Sequence, residues 1–427
     1  MTARAGIVVT GTEVLTGRVA DRNGPWLAEA LRALGVDIAA VVVVGDRPGD
    51  LTAALGFLAG SGADLVITSG GLGPTADDLT AAVVGNFQGR PSSLDPALEQ
   101  RIADVVARLS ARRGWRMDPE ATAAGTAKQA LVPAGATVVE PVGTAPGLVV
   151  PVAEGRSGPP VLVLPGPPSE LQAMWPAAVA TEPVQRALAG ATELRQSTLR
   201  LYGTPESELA ATLRRVDDQL TGLEVTTCLR DGEVEIVTRH GLADEPALGR
   251  LRQAIEADFG ATLFSEGPTL DELVVGGLTD AGWRVAVGDS CTAGMLTARL
   301  TGPAGASAWL LGGVAAYANS AKEQLLDVPA ELIAAHGAVS AEVARAMAEG
   351  ARRRFGADVG VGMTGIAGPG GGTADKPVGT VHLAVVAPEA ALTRSVVLGG
   401  GRDAVRQRTT TLALHLLRQL LLGGPPA

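Results

Sequence analysis

The residues with the clearest chemical potential are the run Gly288-Asp-Ser-Cys-Thr-Ala-Gly294 and a lysine thirty-two positions after its serine. An apolar run precedes this segment and an apolar-periodic one follows from Met295, which predicts a strand, a turn and a helix. Ser290 and Cys291 would then lie at the positive end of the helix dipole, where free backbone N–H groups can hold a developing oxyanion. The pattern predicts an acyl-transfer nucleophile. Simple capping of the helix by Asp289 or Ser290 is the alternative.

Lysine usage singles out a partner for this serine. Only three of the 35 Lys and Arg side chains are lysines, namely Lys128, Lys322 and Lys376. Arginine keeps its proton in proteins, whereas a desolvated lysine can serve as a general base. Each lysine is therefore a candidate for proton transfer, with compositional chance as the alternative. Lys322 falls in the first turn of a helix predicted to begin at Asn319, after a strand that ends near Tyr317.

Composition limits the class of protein. The chain has 427 residues, 46% apolar and 3% aromatic content, 56 glycines and a formal charge of −10, which predicts a soluble α/β protein of several domains. The negative charge argues against a general nucleic-acid or anionic-membrane binder. Cys228 and Cys291 are too far apart in sequence for a metal motif and suit a reducing cytoplasm. No apolar run reaches transmembrane length, so we expect a cytoplasmic protein.

Three segments differ in their hydrophobic pattern. Residues 1–176 alternate β-branched runs with amphipathic stretches, which predicts a mostly parallel sheet covered by helices. Residues 177–265 predict a small α+β module, and residues 268–427 predict a second α/β domain that closes with a helix from about 402 to 422. The residues around Gly267-Pro268 predict a linker, because this dipeptide interrupts helix and strand.

Glycines follow another predicted strand of the C-terminal segment. The run Val361-Gly-Met-Thr-Gly-Ile-Ala-Gly-Pro-Gly370 exposes backbone N–H groups, including those of Gly368 and Gly370, without an obstructing Cβ. Such groups suit a phosphate or carboxylate, although a glycine-rich surface loop is equally consistent with the pattern. Arg402, Arg406 and Arg408 open the last helix and either hold a phosphate or are solvated charges.

The motifs DSCTAG, LGGVAAYANSAK, HGAVS, TGIAGPGGG and KPVGTVHLAV occur in this order over most of residues 268–422. They resemble the CinA C-terminal domain, the PncC-type nicotinamide-nucleotide amidase family. The resemblance implies hydrolysis of the carboxamide of nicotinamide mononucleotide to nicotinate mononucleotide and ammonia, without a cofactor, in pyridine-nucleotide (NAD) salvage. It implies Ser290 as nucleophile, Lys322 as base, and Tyr317, Thr364 and Arg406 around the substrate. Asp289 and Ala293 depart from the family's usual Glu and Gly. Cys291 remains a rival nucleophile, with a buried structural cysteine as its alternative.

A second set of motifs lies in the N-terminal segment. Gly70, Gly71 and Gly73 follow the strand predicted at 65–68 and would allow close approach of a phosphate. Asp77 and Asp78, placed where a helix is predicted to begin, could bind a divalent metal or merely cap that helix. Asn23 and Glu170 belong to polar turns near other strand ends, the usual ligand crevice of an open α/β sheet.

These N-terminal segments resemble the CinA N-terminal domain, which is similar to the three-layer molybdopterin-binding fold of MoaB and MogA. The resemblance implies a metal-dependent ADP-ribose pyrophosphatase in some members, with Lys128 near the nucleotide. Lys128 is usually preceded by Asn-Arg in that family but here by Thr126-Ala127, and Glu140 replaces a common Asn.

The sequence therefore predicts a CinA-like enzyme whose main activity is amide hydrolysis on a pyridine nucleotide. It predicts no nucleic-acid or membrane partner, and the resemblance implies a homodimer. The alternatives are a metal-dependent nucleotide pyrophosphatase acting through the N-terminal domain and a non-catalytic, competence-associated (damage-inducible) binding protein.

Overall fold

The computed structural model describes residues 2–114, 116–192 and 194–423. The chain divides into two compact units, Met1–Leu194 and Arg195–Ala427. Both units are mixed α/β structures, as the sequence predicts. Within the described residues, no helix combines the length and apolar character needed to cross a membrane.

The N-terminal unit is built on a six-stranded sheet with strand order β2-β1-β3-β8-β7-β6, in which β2, β1, β3 and β8 are parallel. Its elements are β1 (Arg4–Thr10), α1 (Thr12–Leu15), α2 (Asn23–Ala33), β2 (Asp37–Val44), α3 (Pro48–Gly60), β3 (Leu65–Ser69), α4 (Thr80–Gln88), β4 (Ser92–Leu94), α5 (Pro96–Arg113), α6 (Pro119–Gln129), β5 (Leu131–Pro133), β6 (Thr137–Val139), β7 (Gly147–Val150), β8 (Val161–Leu164), α7 (Pro168–Val179) and α8 (Glu182–Ala187).

Alternating side chains of the strands fill a separate apolar core on each face of this sheet. Ile7 and Val9 of β1 pack with residues of α2 and α7, whereas Val8 packs on the other face with residues of α3 and α4. Because successive strand residues point to opposite faces, a strand buried on both sides becomes a continuous apolar run. The result is the three-layer arrangement of helix, sheet and helix that the sequence predicts.

The C-terminal unit contains a four-stranded antiparallel sheet, order β10-β11-β9-β12, and a five-stranded sheet, order β14-β13-β15-β16-β17. Its elements are β9 (Arg195–Tyr202), α9 (Glu206–Val216), β10 (Glu224–Arg230), β11 (Glu233–His240), α10 (Glu245–Phe259), β12 (Leu263–Glu266), α11 (Leu270–Ala281), β13 (Val285–Asp289), α12 (Met295–Leu300), β14 (Leu310–Ala315), α13 (Asn319–Leu326), α14 (Ala330–His336), α15 (Ala341–Phe355), β15 (Val359–Gly365), β16 (Thr380–Val386), β17 (Ala391–Val397) and α16 (Arg402–Leu421).

The segment predicted as a linker is held in place by hydrogen bonds. Gly267 N donates to Thr198 O at 2.8 Å, Arg200 Nε donates to Gly267 O at 3.2 Å, and β12 pairs with β9 immediately before it. The predicted linker is therefore short: β12 ends at Glu266, α11 begins at Leu270, and both sheets belong to one compact unit.

Helix α15 lies unusually close to the five-stranded sheet because glycines face it. A Cβ at Gly362 would lie 2.0 Å from Ala344 O, and one at Gly360 would lie 2.0 Å from Ala348 O. No side chain fits at that distance, so these two glycines of β15 set the spacing between strand and helix.

We predict that Gly362→Ala destabilises the protein by about 1–3 kcal/mol or more, because the added methyl group must push helix and strand apart. Gly276→Ala is the matched control, since its Cβ meets nothing within 4 Å in the interior of α11 and alanine favours helix. Thermal unfolding should show a lower midpoint for the first variant and an equal or higher midpoint for the second. Equal midpoints for both variants would contradict the packing argument.

Candidate active site

Three neighbouring parallel strands of the five-stranded sheet bring the predicted amidase residues to one edge. Asp289, the last residue of β13, is in register with Ala315 of β14 and with Met363 of β15. The serine turn and the connection to α13 therefore start at the same level of the sheet, where β15 is also close to its end. Ser290 N donates to Met363 O at 3.1 Å, and Ala316 N donates to Asp289 O at 2.7 Å. Strand β14 ends at Ala315, two residues before the predicted end near Tyr317.

The turn after β13 is organised by the Asp289 carboxylate. Its oxygens accept hydrogen bonds from the backbone N–H groups of Thr292, Ala293 and Gly294 at 3.2, 3.0 and 2.6 Å, and from the Thr292 hydroxyl at 2.5 Å. Burial raises the pKa of Asp289, while these hydrogen bonds lower it. The carboxylate thus accepts hydrogen bonds from three consecutive backbone N–H groups and holds the turn in its conformation.

This arrangement corrects two expectations for the serine turn. Helix α12 begins only at Met295 and has six residues, so Ser290 and Cys291 are not at a helix N-terminus. The N–H groups of Thr292, Ala293 and Gly294 are not available to an oxyanion either, because Asp289 already accepts from them. The alternative, capping of the helix by Asp289 or Ser290, is wrong as well: the N-cap of α12 is Gly294, without a side-chain hydrogen bond, and the Asp289 side chain binds the turn before the helix.

The two neighbouring nucleophile candidates differ in their environment. Ser290 is 7% exposed and Cys291 is 5% exposed. Burial, followed by the nearby charge of Asp289, raises the pKa of the Cys291 thiol to about 12. A thiol with that pKa is almost fully protonated at neutral pH, whereas thiol chemistry requires the thiolate. These surroundings favour Ser290 over Cys291 as the nucleophile.

Lys322 is the largest fully buried side chain among the described residues, with 1% exposure. It lies in the first turn of α13, as the sequence predicts, and its Nζ donates to Ala316 O at 2.9 Å and to Tyr317 O at 3.0 Å. Desolvation lowers the pKa of Lys322, and an electrostatic interaction with Cys291 opposes this shift. Ala316, whose carbonyl accepts from Nζ, donates its own N–H to Asp289 O at the end of β13, so one residue links the lysine to the strand that precedes Ser290.

The residues predicted around the substrate take different positions at this edge. Arg406, near the start of α16, donates from Nη2 to Thr292 O at 3.0 Å and so contacts the serine turn; its Nε is buried without a partner in the described part of the chain. The Thr364 hydroxyl is buried and donates to Ala338 O at 2.8 Å. Tyr317 is 62% exposed. The structure therefore brings Arg406 to the turn, while Thr364 holds the loop before α15.

The glycine-rich loop after β15 has two kinds of glycine. Gly368 has φ +84°, and a Cβ there would lie 2.6 Å from Val378 Cγ1, so its backbone requires glycine. Gly370 has no neighbour within 4 Å of an added Cβ and faces open space. Arg402 donates to Gly368 O at 2.9 Å and Arg408 donates to Gly399 O at 3.0 Å. Both arginines thus hold backbone carbonyls.

In the N-terminal unit, a cavity of about 640 Å³ opens at the carboxyl ends of β1 and β3. Its lining includes the predicted residues Gly70, Gly71, Gly73, Asp77 and Asp78, together with Asn23, Asp46, Gln129, Thr144 and Glu170. Gly70 and Gly71 have φ +106° and +66°, and added Cβ atoms would collide with Thr10 and Thr80. These glycines are needed by the backbone whatever the cavity binds.

The paired carboxylates of this cavity are linked by Thr75. Its hydroxyl lies 2.5 Å from Asp77 Oδ1 and 2.5 Å from Asp78 Oδ2, and Thr75 N donates to Asp78 at 2.9 Å. The hydroxyl contact lowers the pKa of Asp77. Helix α4 begins at Thr80 and its N-cap is Leu79. The prediction that Asp77 and Asp78 lie at the start of this helix is therefore wrong. Lys128 Nζ donates to Thr75 O.

Two further features of the cavity bear on binding. Asn23 is buried, with Nδ2 donating to Ser69 Oγ at 2.8 Å and Gly166 O at 2.6 Å, while its Oδ1 has no partner in the described part of the chain. Burial raises the pKa of Glu170. Of the residues that depart from the family pattern, Thr126 donates to Thr122 O within α6 and Glu140 forms an ion pair with Arg101 at 3.2 Å.

Sequence reasoning missed two contributors to these sites. Asp46 lines the N-terminal cavity and accepts hydrogen bonds from Thr12 N and Oγ1. The only sequence signal for a site residue here was its position two residues after a β-branched run. Ala338, whose carbonyl fixes Thr364, gave no signal, because a backbone carbonyl contributes through its position alone.

Comparison with known proteins identifies both parts of this α/β structure. Residues 268–421 match the family model described as the CinA C-terminal domain, and residues 6–184 match the one described as a probable molybdopterin binding domain. The latter agrees with the three-layer fold of the N-terminal unit.

The chain belongs to the CinA-like protein family. It is 57% identical over 428 residues to the CinA-like protein of Mycobacterium sp. (strain MCS), covering 99% of this chain and 100% of that protein. It is 52% identical over 433 residues to that of Mycobacterium tuberculosis (strain ATCC 25177 / H37Ra), covering 100% and 99%. Among solved structures, the competence/damage inducible protein CihA from Agrobacterium tumefaciens is 41% identical over 36% of this chain and 97% of that one, with a TM-score of 0.34.

Ala293 is one of three described non-glycine residues with positive φ, at 53°. Left-handed backbone costs a residue with a Cβ about 1 kcal/mol, which glycine avoids. We predict that Ala293→Gly raises the thermal unfolding midpoint and that Ala293→Val lowers it, because a β-branched side chain tolerates this conformation least. The side chain is exposed, so crowding does not confuse the comparison. The reverse order of midpoints would refute the assignment of strain.

Proposed function

We propose that the C-terminal domain is an amidase that hydrolyses the carboxamide of nicotinamide mononucleotide, with Ser290 as nucleophile and Lys322 as general base. The observation that carries the proposal is the environment of the Lys322 amino group. It is buried, its pKa is lowered by desolvation, and it donates to two backbone carbonyls beside the strand that ends in the serine turn.

The hydrogen bonds of Lys322 suit a base. A neutral amine has two N–H groups and one lone pair, and here two carbonyl oxygens accept from it. Both N–H groups can thus be satisfied in the neutral form, which leaves the lone pair to accept a proton. Desolvation favours this neutral form. An arginine at this position would keep its charge.

The proposed reaction follows from these roles. Lys322 accepts the Ser290 Oγ proton as the oxygen attacks the carboxamide carbon. The tetrahedral intermediate then breaks its C–N bond, and the proton passes from Lys322 to the departing nitrogen, which leaves as ammonia. Water attacks the resulting acyl-serine, Lys322 takes the water's proton and returns it to Ser290 Oγ, and the carboxylate product is released.

Two groups near the turn suit the rest of a nucleotide substrate. Arg406 donates from Nη2 to Thr292 O of the turn, and its buried Nε has no partner in the described part of the chain, so its guanidinium is the proposed donor to an anionic oxygen of the substrate. In the loop that contains Gly370, where an added Cβ would meet nothing within 4 Å, backbone N–H groups are the proposed donors to a phosphate. The mechanism requires no metal ion or cofactor.

The first test changes the base. We predict that Lys322→Arg lowers kcat for ammonia release from nicotinamide mononucleotide by about 10²-fold or more, since arginine cannot accept the proton. Lys376→Arg is the matched control, because that lysine also donates to two backbone carbonyls, His336 O and Val339 O, and should stay near the wild-type rate. A Lys322→Arg enzyme with wild-type kcat would exclude the Ser–Lys assignment.

The second test uses pH. A base must be unprotonated, so kcat should rise with pH through the pKa of Lys322. Because burial lowers that pKa from its usual 10.5, the rise should be centred below pH 10.5. Cys291→Ala should leave the profile and most of the activity intact, whereas Ser290→Ala should abolish it. A profile that follows thiol ionisation, with loss of activity in Cys291→Ala, would assign the reaction to the cysteine.

The N-terminal cavity supports a second activity, metal-dependent hydrolysis of ADP-ribose. The specific observation is the buried Asn23 Oδ1, which has no partner in the described part of the chain and lies at a cavity rich in oxygen donors. The described residues contain no cluster of three or more metal-binding side chains. Asp77 and Asp78 would therefore hold a divalent ion whose other ligands are water and phosphate oxygens, the usual mode of Mg²⁺.

The third test separates the two activities. Asp77→Asn combined with Asp78→Asn should abolish metal-dependent ADP-ribose hydrolysis and leave ammonia release from nicotinamide mononucleotide unchanged, because the two sites share no residue. EDTA should act in the same way on the wild-type protein. Loss of ammonia release in either experiment would contradict a metal-free amidase. Failure of the wild-type protein to hydrolyse either substrate would favour a non-catalytic binding protein.

A further inference from the structure

Strand β10, at one end of the four-stranded sheet, has an unusually open edge. It pairs with β11 on one side only, and six of its seven residues are exposed. Its central residues, Val225-Thr-Thr-Cys-Leu229, carry no charge and no proline, and its ladder with β11 has no register shift. Charged side chains, prolines and bulges are the features by which proteins usually protect an exposed edge strand from pairing, and the centre of β10 has none of them. Strand β12, at the opposite edge of the same sheet, does have a register shift.

The hairpin that joins β10 to β11 determines which backbone groups face outward. Its two loop residues, Asp231 and Gly232, have φ 53° and 89°, as in a two-residue type I′ turn. Arg230 and Glu233, which close the turn, are then a hydrogen-bonded pair. Because pairing alternates along an antiparallel ladder, the N–H and C=O groups of Val225, Thr227 and Leu229 point away from β11. Beyond this ladder, the described part of the chain offers them no backbone partner.

We propose that two copies of this chain associate through β10, antiparallel and about a twofold axis at Thr227. In this register Thr227 pairs with Thr227 of the second copy and Val225 with its Leu229, and all of these residues present outward backbone groups. Thr226 lies opposite Cys228 of the second copy. The two four-stranded sheets join into one of eight strands. The proposal does not rest on the proposed amidase activity.

The sequence of β10 is complementary to itself in this register. Glu224 and Arg230, both exposed, are the only charged residues of the strand, and each lies opposite the other in the second copy. Glu224 also lies 3.7 Å from Arg239 of β11, so in the pair of chains its carboxylate would be shared between two arginines. Opposite charges at directly facing positions stabilise a strand pair, whereas like charges destabilise it. A shift of register by two residues would remove this pairing of ends.

The apolar residues of β10 are also complementary. Val225 packs against the core formed with α9 and α10, whereas Leu229 is 54% exposed although it lies on the same face of the strand. In the proposed pairing, Leu229 of each copy lies directly beside Val225 of the other and extends that core. Association therefore covers an apolar side chain that the single chain leaves in water.

Disulfide cross-linking tests the register. Thr226 and Cys228 of the second copy form a non-hydrogen-bonded pair, with Cα atoms about 4.5 Å apart, a separation that suits a disulfide. We expect Thr226→Cys to give a covalent dimer under mild oxidation, detected by non-reducing electrophoresis. In the control, Thr226→Cys with Cys228→Ser, the two introduced cysteines are diagonal neighbours about 7–8 Å apart, and cross-linking should be at least tenfold slower. Equal cross-linking of both, or of neither, would overturn the proposal.

Sedimentation velocity of the full chain tests the edge in solution. Thr227→Pro removes an outward N–H without breaking the ladder to β11, and we expect it to raise the dimer dissociation constant at least tenfold. Thr227→Val keeps the N–H and should associate like the wild type. Circular dichroism spectra verify that each variant is folded. A wild-type protein that stays monomeric at high concentration, or a folded Thr227→Pro variant that dimerises normally, would overturn the proposal.

Discussion

The C-terminal domain depends on one costly interaction, the burial of the Lys322 amino group. Removing an ammonium from water is unfavourable unless the group is hydrogen-bonded or loses its proton. Here the carbonyls of Ala316 and Tyr317 accept from Nζ, and both belong to the connection between β14 and α13. The position of the lysine is therefore set by backbone geometry, and this geometry exists only because β14 is parallel to β13 and ends at the same level.

The serine turn lies at the same edge of the five-stranded sheet, but it is held by a side-chain carboxylate and not by backbone carbonyls. Three consecutive N–H groups bend around the Asp289 carboxylate, and the tightness of this loop forces Ala293 to a positive φ. The resemblance to the family implies glycine at position 293, and glycine adopts this conformation without strain. Asp289, which is one methylene shorter than glutamate, and the strained Ala293 thus lie in the same loop. Because the backbone N–H groups of this loop already donate to Asp289, an oxyanion must be stabilised by donors outside it. The open glycine loop after β15 begins at the same edge.

The sequence predicted the elements better than the contacts between them. Apolar periodicity located the strands that end at Asp289 and Gly365 and the helix that begins at Asn319, because these signals are local. It did not reveal that Asp289 folds back on its own turn, which depends on backbone torsion angles and not on residue type. Contacts between distant residues were equally hidden: Arg406 and Thr292 are 114 residues apart, and His415 and Glu233 are 182 apart.

The contact between His415 and Glu233 joins the small α+β module (the middle module, predicted at residues 177–265) to the C-terminal domain (residues 268–427), which belong to one compact unit from residue 195 onward. His415 Nε2 lies 2.7 Å from Glu233 Oε1, and its ring is stacked on Tyr202 at 3.7 Å and meets the edge of Phe264. Burial lowers the pKa of His415, while Glu233 raises it.

Glu233, Tyr202 and Phe264 belong to the four-stranded sheet, whereas His415 lies on α16, the helix whose first turns carry Arg406. A single helix therefore contacts the serine turn near one end and the neighbouring sheet further along. Because a helix moves largely as a rigid body, the position of the four-stranded sheet constrains Arg406, and the middle module is part of the framework that holds the candidate active site.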